Sequence, residues 1–168
     1  GAGIALLLAR KGIATRLKDI KPEFVASGVK TVRKLLGKDV KRRKLTTRQA
    51  EMVFDRISPT TDYRGLKHAD VVIDAVLEDM TIKRQVFQEL AAPTGPETVL
   101  ATNTSSLLVS DVAETTPHPE RVVGLHFFNP PHQMLLVEVI HTPQTTPEAL
   151  AKAFAVVQRL GKTPVVVG

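Results

Sequence analysis

A histidine and a glutamate in this sequence stand where packing alone would not put them. His126 falls near the end of the apolar run Arg121 to Phe128, just ahead of Phe127-Phe128-Asn129-Pro130-Pro131, and twelve residues later Glu138 interrupts the apolar Leu135 to Ile140. A carboxylate inside a buried strand is disfavoured by desolvation unless a partner offsets the cost, and His126 is the most economical partner. Such a pair suits the oxidation of an alcohol. The imidazole removes the hydroxyl proton as hydride departs, while the carboxylate orients the ring and stabilises the imidazolium. A structural histidine tied to a glutamate would leave the same two residues, and the pattern alone keeps both explanations open.

Asn103-Thr104-Ser105-Ser106-Leu107 follows a buried run, so its polar groups emerge at the carboxyl edge of a sheet, the usual ligand side of α/β folds. Capping of a following helix competes as the explanation. Ser105, His126 and Glu138 could be assembled into a hydrolase triad, but no Gly-x-Ser-x-Gly elbow is present. His68, His118, His132 and His141 lie in polar or loop-like stretches and read as surface residues, and no metal-ligand spacing is evident. With no cysteine, the chain has neither disulfides nor thiolate metal sites.

The elements that must position these groups alternate between two periods. Gly1 to Gly12 reads as a helix with small residues at its front and a glycine where it stops. Ile13 to Asp19 alternates branched and polar residues and ends in an acid, as a strand with a carboxylate at its C-terminal edge would. Pro22 to about Leu36 is helical in spacing, and Thr46 can cap a second helix running to about Asp55. Val71 to Val76 reads as a central parallel strand, Met80 to about Ala92 as a helix, and Thr98 to Ala101, Arg121 to Phe128 and Leu135 to Ile140 as further strands. A helix from Pro147 to Leu160 and a strand from Pro164 to Val167 close the pattern. This order predicts a Rossmann-like, doubly wound, mostly parallel α/β sheet with a helical-pair insertion, in one domain over residues 1–168.

On such a sheet a dinucleotide needs a glycine-rich turn before a helix N-terminus and an acid at the end of the second strand. Gly1 and Gly3 are placed for the tail of that turn, and Asp19 for the acid that holds ribose hydroxyls and repels the 2′-phosphate of NADP. Ordinary helix packing and a cap before Pro22 are the respective alternatives.

The net charge is +6, with 43% hydrophobic and 24% charged residues, which describes a globular chain. Lys30, Arg33, Lys34, Lys38, Lys41, Arg42, Arg43, Lys44 and Arg48 concentrate the positive charge on the helix pair. A solvated helical face explains them, as would the phosphates of a large anionic substrate. Nucleic acid fits poorly, since one tyrosine and no tryptophan leave little for base stacking. No apolar run is long enough for a membrane span and no signal-peptide pattern opens the chain, so a cytoplasmic location is expected.

Ala101 to Leu107, Gly124-Leu125-His126-Phe127-Phe128-Asn129-Pro130 and Leu136-Val137-Glu138-Val139-Ile140 together resemble the 3-hydroxyacyl-CoA dehydrogenases, most of all the dehydrogenase part of bacterial multifunctional fatty-acid oxidation α-subunits. The resemblance covers nearly the whole chain. It implies oxidation of an L-3-hydroxyacyl-CoA to the 3-ketoacyl-CoA with NAD as cofactor, and His126 and Glu138 as the catalytic dyad. By the same resemblance Ser105 and Asn129 lie near the substrate. Asp19 would hold the adenosine ribose, Gly1 and Gly3 would belong to the phosphate turn, and Ala75, Val76, Glu78, Lys83 and Asn103 would line the cofactor cleft. The family also implies a first strand with two more glycines ahead of Gly1 and a helical domain after Gly168, with a thiolase subunit as a further partner. Residues 1–168 by themselves are then expected to turn over slowly or not at all.

Overall fold

The computed structural model describes all residues from Gly1 to Gly168, which form two compact units, Gly1–Tyr63 and Arg64–Gly168. In the first, α1 (Ala2–Arg10), β1 (Thr15–Lys18), α2 (Pro22–Lys41), α3 (Thr47–Phe54) and β2 (Ile57–Thr60) follow in order. Leu6, Ala9, Val32, Leu36, Ala50, Val53 and Ile57 make its core. Gly12, at φ 77°, takes the left-handed conformation that turns the chain from α1 toward β1. Thr46 and Gln49 form a reciprocal capping box at the start of α3, as the sequence predicts. The helix α2 runs five residues past Leu36, to Lys41, because its apolar spacing continues through Gly37 to Val40.

Strand β2 escapes the sequence reading. It has only four residues, one of them Pro59, and pairs in parallel with β1 so that Pro59 lies opposite Leu17. A proline is tolerated in a strand that pairs on one side only, where its missing N–H forfeits no ladder bond.

The second unit contains β3 (Val71–Asp74), α4 (Met80–Leu90), β4 (Val99–Thr102), the short α5 (Val109–Ala113), β5 (Val122–Phe127), β6 (Leu136–Ile140), α6 (Pro147–Arg159) and β7 (Thr163–Val167). Its sheet has the order β3-β4-β5-β6-β7, parallel throughout except for the antiparallel β5–β6 pair. This is the mostly parallel α/β arrangement that the sequence predicts. The central position expected for Val71 to Val76 is not observed within this sheet. The strand stops at Asp74, pairs there with β4 alone, and keeps Val71, Val72 and Ile73 only half-buried. β4 and most of β5 are buried, and Leu100, Ala101, Val122, Val123 and Leu125 have no exposed surface. Asp79 and Thr146 cap α4 and α6 through their side chains. No helix is long and apolar enough to cross a membrane.

Gly124 is the tightest point of this sheet. A Cβ there would lie 2.8 Å from Ile140 Cβ and 3.0 Å from Val109 Cγ2, so α5 and β6 can approach β5 only because no side chain intervenes. Gly124→Ala is expected to cost about 1–3 kcal/mol through overpacking. Denaturant unfolding of the two proteins would check this, and equal midpoints would contradict it.

Candidate active site

The antiparallel β5–β6 ladder turns a spacing of twelve residues into a contact. His126 and Glu138 are direct cross-strand partners, flanked by the pairs Leu125–Val139 and Phe127–Val137. Opposed residues in such a ladder project their side chains on the same face of the sheet. His126 Nδ1 lies 2.7 Å from Glu138 Oε2, within the range of a charge-assisted hydrogen bond. With the carboxylate as acceptor, Nδ1 carries the hydrogen and Nε2 keeps its lone pair. The Phe128 ring packs against the imidazole, with centroids 4.5 Å apart at 46°. Glu138 is less buried than its apolar setting suggests, since a third of its side chain remains exposed (34%) against 17% for His126. The site is therefore a half-open pair with solvent access.

His126 and Glu138 line a cleft of about 330 Å³ together with Thr104, Ser105, Ser106 and Ile140. Ser105 is exposed, and so is His141, which reads from sequence as an ordinary surface residue but also borders this cleft. His68, His118 and His132 are exposed as predicted, and no group of acids and histidines is arranged to hold a metal ion. Asn103 sits at the C-terminal end of β4, where its side-chain oxygen accepts from Phe127 N at 2.9 Å and ties that strand end to β5. Asn129 is exposed in the loop after β5 and is not among the residues lining the cleft. That loop is held from the residue just before β7, since the Lys162 ammonium donates to the carbonyl of Pro131 at 2.6 Å and to that of Met134.

The segment after β3 carries an ionic cluster whose membership the sequence only half discloses. Glu78 Oε1 accepts from the Thr104 hydroxyl, from Ser105 N at 3.0 Å, and from Ser106 N and Oγ at 3.2 Å each. Burial alone would raise the Glu78 carboxyl. The hydrogen bonds from Thr104, Ser105 and Ser106 and the nearby charge of Lys83 outweigh that and bring it from 4.5 to about 2. Because the folded value is depressed, the carboxylate contributes stability that is complete above pH 4.5 and disappears as pH falls toward 2. The stability gap between the wild-type chain and Glu78→Gln should therefore close across that interval in acid-unfolding experiments; a gap independent of pH would contradict it.

Lys83 has no exposed surface, and its ammonium lies 2.8 Å from Asp74 Oδ2 and 3.8 Å from Glu78 Oε2. Asp74 is buried too, and also accepts from the Thr102 hydroxyl at 2.9 Å and from Val76 N at 2.9 Å. Thr104 lies in the polar segment that the sequence places at the carboxyl edge of the sheet, whereas Asp74 and Thr102 escape the sequence because single polar residues at strand ends look like ordinary edges. The visible signal was Asp74 at the end of an apolar run with Lys83 nine residues on.

In the first unit, Asp19 is exposed at the C-terminal end of β1, with Oδ1 2.7 Å from Ile20 N. It is not a helix cap. The cap position of α2 is Lys21, and no side chain bonds there. Gly1 caps α1, its carbonyl accepting from Ala5 N at 3.0 Å, and Gly3 lies in the first turn of that helix. A larger groove of about 720 Å³ runs along α2 and β2, lined by Val25, Val29, Lys30, Arg33, Pro59 and neighbours, and contains no acid–base pair.

A mostly parallel α/β sheet with a His–Glu pair in a cleft beside its strand ends defines the class of Rossmann-like oxidoreductase domains. Within that class, the family profile described as 3-hydroxyacyl-CoA dehydrogenase, NAD binding domain, matches residues 1–168. The chain belongs to this family of NAD-binding domains. It is 41% identical over 99% of its length to the fatty acid oxidation complex subunit alpha of Shewanella baltica and 40% identical to that of Shewanella oneidensis, spanning 24% of each relative. The chain thus covers about a quarter of the length of these curated relatives. Its fold matches 3-hydroxybutyryl-CoA dehydrogenase from Escherichia coli with a TM-score of 0.93 at 38% identity, covering 98% of this chain and 35% of that one. For (S)-3-hydroxybutyryl-CoA dehydrogenase from Ralstonia eutropha the TM-score is 0.96 at 35% identity, covering 99% and 59%.

Proposed function

We propose that this chain acts within a longer enzyme as the part that oxidises L-3-hydroxyacyl-CoA to 3-ketoacyl-CoA, with His126 as general base and Glu138 as its orienting carboxylate. The observation that carries the reading is the 2.7 Å His126–Glu138 bond in a cleft that also presents Ser105. Glu138 fixes the imidazole with Nδ1 protonated, so Nε2 is the atom that accepts the substrate hydroxyl proton. Ser105, in the same cleft, is suited to hydrogen-bond the substrate oxygen, and Asn129 is proposed to lie nearby. As protonated imidazole forms, the Glu138 carboxylate balances its charge, and solvent at the half-open edge offers the route by which the proton leaves.

The residues present fit NAD, which when bound supplies the hydride acceptor. In the first unit Asp19 is exposed and free of any capping task, which leaves its carboxylate for a ribose diol and sets its charge against a 2′-phosphate. Gly1 and Gly3 at the start of α1 leave its amides open to close approach by phosphate. In the second unit Ala75, Val76, Glu78 and Asn103 are the proposed cofactor residues; Lys83, expected from the resemblance to line the cleft, has no exposed surface and can act only through its ion pairs with Asp74 and Glu78. Glu78 and Asn103 act by ordering the strand ends, since their oxygens are already engaged with main-chain amides.

Relatives named as α-subunits of a fatty acid oxidation complex support fatty acid oxidation within a larger assembly as the setting of the reaction; the acyl-CoA substrate, a further helical domain, a thiolase-type partner and a cytoplasmic location belong to the proposal itself. The test is calorimetric titration of the chain, alone and within the longer protein, with NADH, NADPH and acetoacetyl-CoA. The reading expects the longer protein to bind NADH at least tenfold more tightly than NADPH and to bind acetoacetyl-CoA, with weaker binding by the chain alone. A longer protein that binds neither NADH nor acetoacetyl-CoA would overturn it.

A further inference from the structure

A fully buried lysine needs a reason. Bringing an ammonium and a carboxylate out of water costs several kcal/mol per ion, and replacing a buried ion pair by apolar side chains is often neutral or stabilising. The Asp74–Lys83 pair, both side chains without exposed surface, is therefore poorly explained by stability alone. What the pair does is visible in the bonds it extends. Asp74 gathers the ends of β3 and β4 through Val76 N and the Thr102 hydroxyl. Lys83, in the first turn of α4, carries positive charge to within 3.8 Å of the second Glu78 oxygen. The first Glu78 oxygen then grips Thr104, Ser105 and Ser106, which are 26 to 28 residues away in sequence.

Beyond Asn103, whose side-chain oxygen accepts from Phe127 N and whose amide donates to the Asp74 carbonyl, the segment thus gripped has little else to hold it. Residues 103–108 have no helix or strand structure, and Ser105, Ser106 and Leu108 are exposed, so apolar packing contributes little to their order. Thr104 is the exception. Its side chain is buried, its hydroxyl donates to Glu78, and the same oxygen accepts from Leu107 N at 3.0 Å and from Ser106 N at 3.3 Å. A threonine cap alone would satisfy this turn locally. The distant carboxylate backed by its own buried cation does more, because it fixes the turn to β3 and α4.

We propose that Asp74, Lys83 and Thr104 are positioning residues: through Glu78 they clamp the turn that presents Ser105 to the cleft of His126. The proposal rests on the function assigned above to that cleft. None of the three contacts the dyad. They act by restricting where Ser105 can be, and a displacement of about 1 Å at a substrate-positioning group can cost on the order of 10²-fold in rate.

The test compares Thr104→Val, which keeps shape and loses the hydroxyl, with Thr104→Ser, which keeps the hydroxyl, both in the longer protein. Three readouts are taken: kcat on 3-hydroxybutyryl-CoA, NADH affinity, and hydrogen exchange at the Ser105 and Ser106 amides. Thr104→Val is expected to lower kcat by about 10- to 100-fold, to speed exchange at both amides, and to leave NADH affinity within about twofold, as only the turn is released. Thr104→Ser should restore kcat and amide protection together. A second pair, Asp74→Leu with Lys83→Met, removes the buried charges without leaving either alone; it should fold and show the same loss of kcat and of amide protection.

If Thr104→Val folds and keeps the wild-type kcat while the wild-type enzyme is active, the clamp is overturned and the assigned function stands. If the wild-type protein turns over no hydroxyacyl-CoA, that function fails, and with it the proposal. Loss of kcat in Thr104→Val with no recovery in Thr104→Ser would also count against the clamp, since the hydroxyl would then not be the feature that matters.

Discussion

Replacing His126 by alanine is expected to lower kcat for 3-hydroxyacyl-CoA oxidation by about 10²–10⁴-fold, the range that a positioned general base contributes. The argument is geometric. Nδ1 is committed to Glu138 at 2.7 Å, which leaves Nε2 with its lone pair for the hydroxyl proton in a cleft that His126 lines. The fold should survive the change, because His126 is opposite a glutamate that is one-third exposed and not in the packed layer formed by Val122, Val123 and Leu125. NADH affinity should stay within about twofold while kcat collapses, because an interaction made only as the proton moves does not contribute to ground-state binding. Steady-state kinetics with NADH titration would read both, and a His126→Ala enzyme with undiminished kcat would remove the histidine from the chemistry.

The second large effect belongs to Glu138. Glu138→Gln preserves length and strand pairing but replaces a pure acceptor with an amide that can present either a donor or an acceptor to the ring. The imidazole then loses the bond that selects its tautomer. In the serine-protease triad, the corresponding change of carboxylate to amide costs about 10⁴-fold. Here the carboxylate is 34% exposed, so water can partly substitute, and a loss on the order of 10²–10³-fold is expected. In the proposed mechanism both residues serve one proton transfer, so the double variant should be little worse than His126→Ala alone. Independent, multiplying losses would show that the two residues do not work as a unit.

The dyad was legible in the sequence for a physical reason. A titratable ring near the end of one apolar run and a carboxylate inside the next violate the hydrophobic pattern twice, and pairing them resolves both violations. What the sequence did not disclose was the register. The β5–β6 ladder puts residues 126 and 138 opposite one another across a loop whose length does not by itself fix the pairing, and Lys162, just before β7, bonds to that loop. The principal helices were legible from apolar spacing and, at α3, from the Thr46 cap. Short elements escaped. Four-residue β2 contains a proline, and five-residue α5 has too few turns to establish a period. Asp19 shows the converse case, in which two readings of one carboxylate could be separated only once α2 was seen to begin without a side-chain cap. The Asp74–Lys83 pair was hardest, because buried ions have no period and are identified only by contact.

The central claim is that the cleft of His126 oxidises a hydroxyl on an acyl-CoA. Its most direct test is the initial rate of NADH formation by the longer protein, supplied with NAD and either 3-hydroxybutyryl-CoA or free 3-hydroxybutyrate, for the wild-type and His126→Ala enzymes. The account predicts rapid NADH formation with the CoA ester, little with the free acid, and loss of the ester reaction in the variant. Equal rates on ester and acid, or a variant as fast as the wild type, would contradict it.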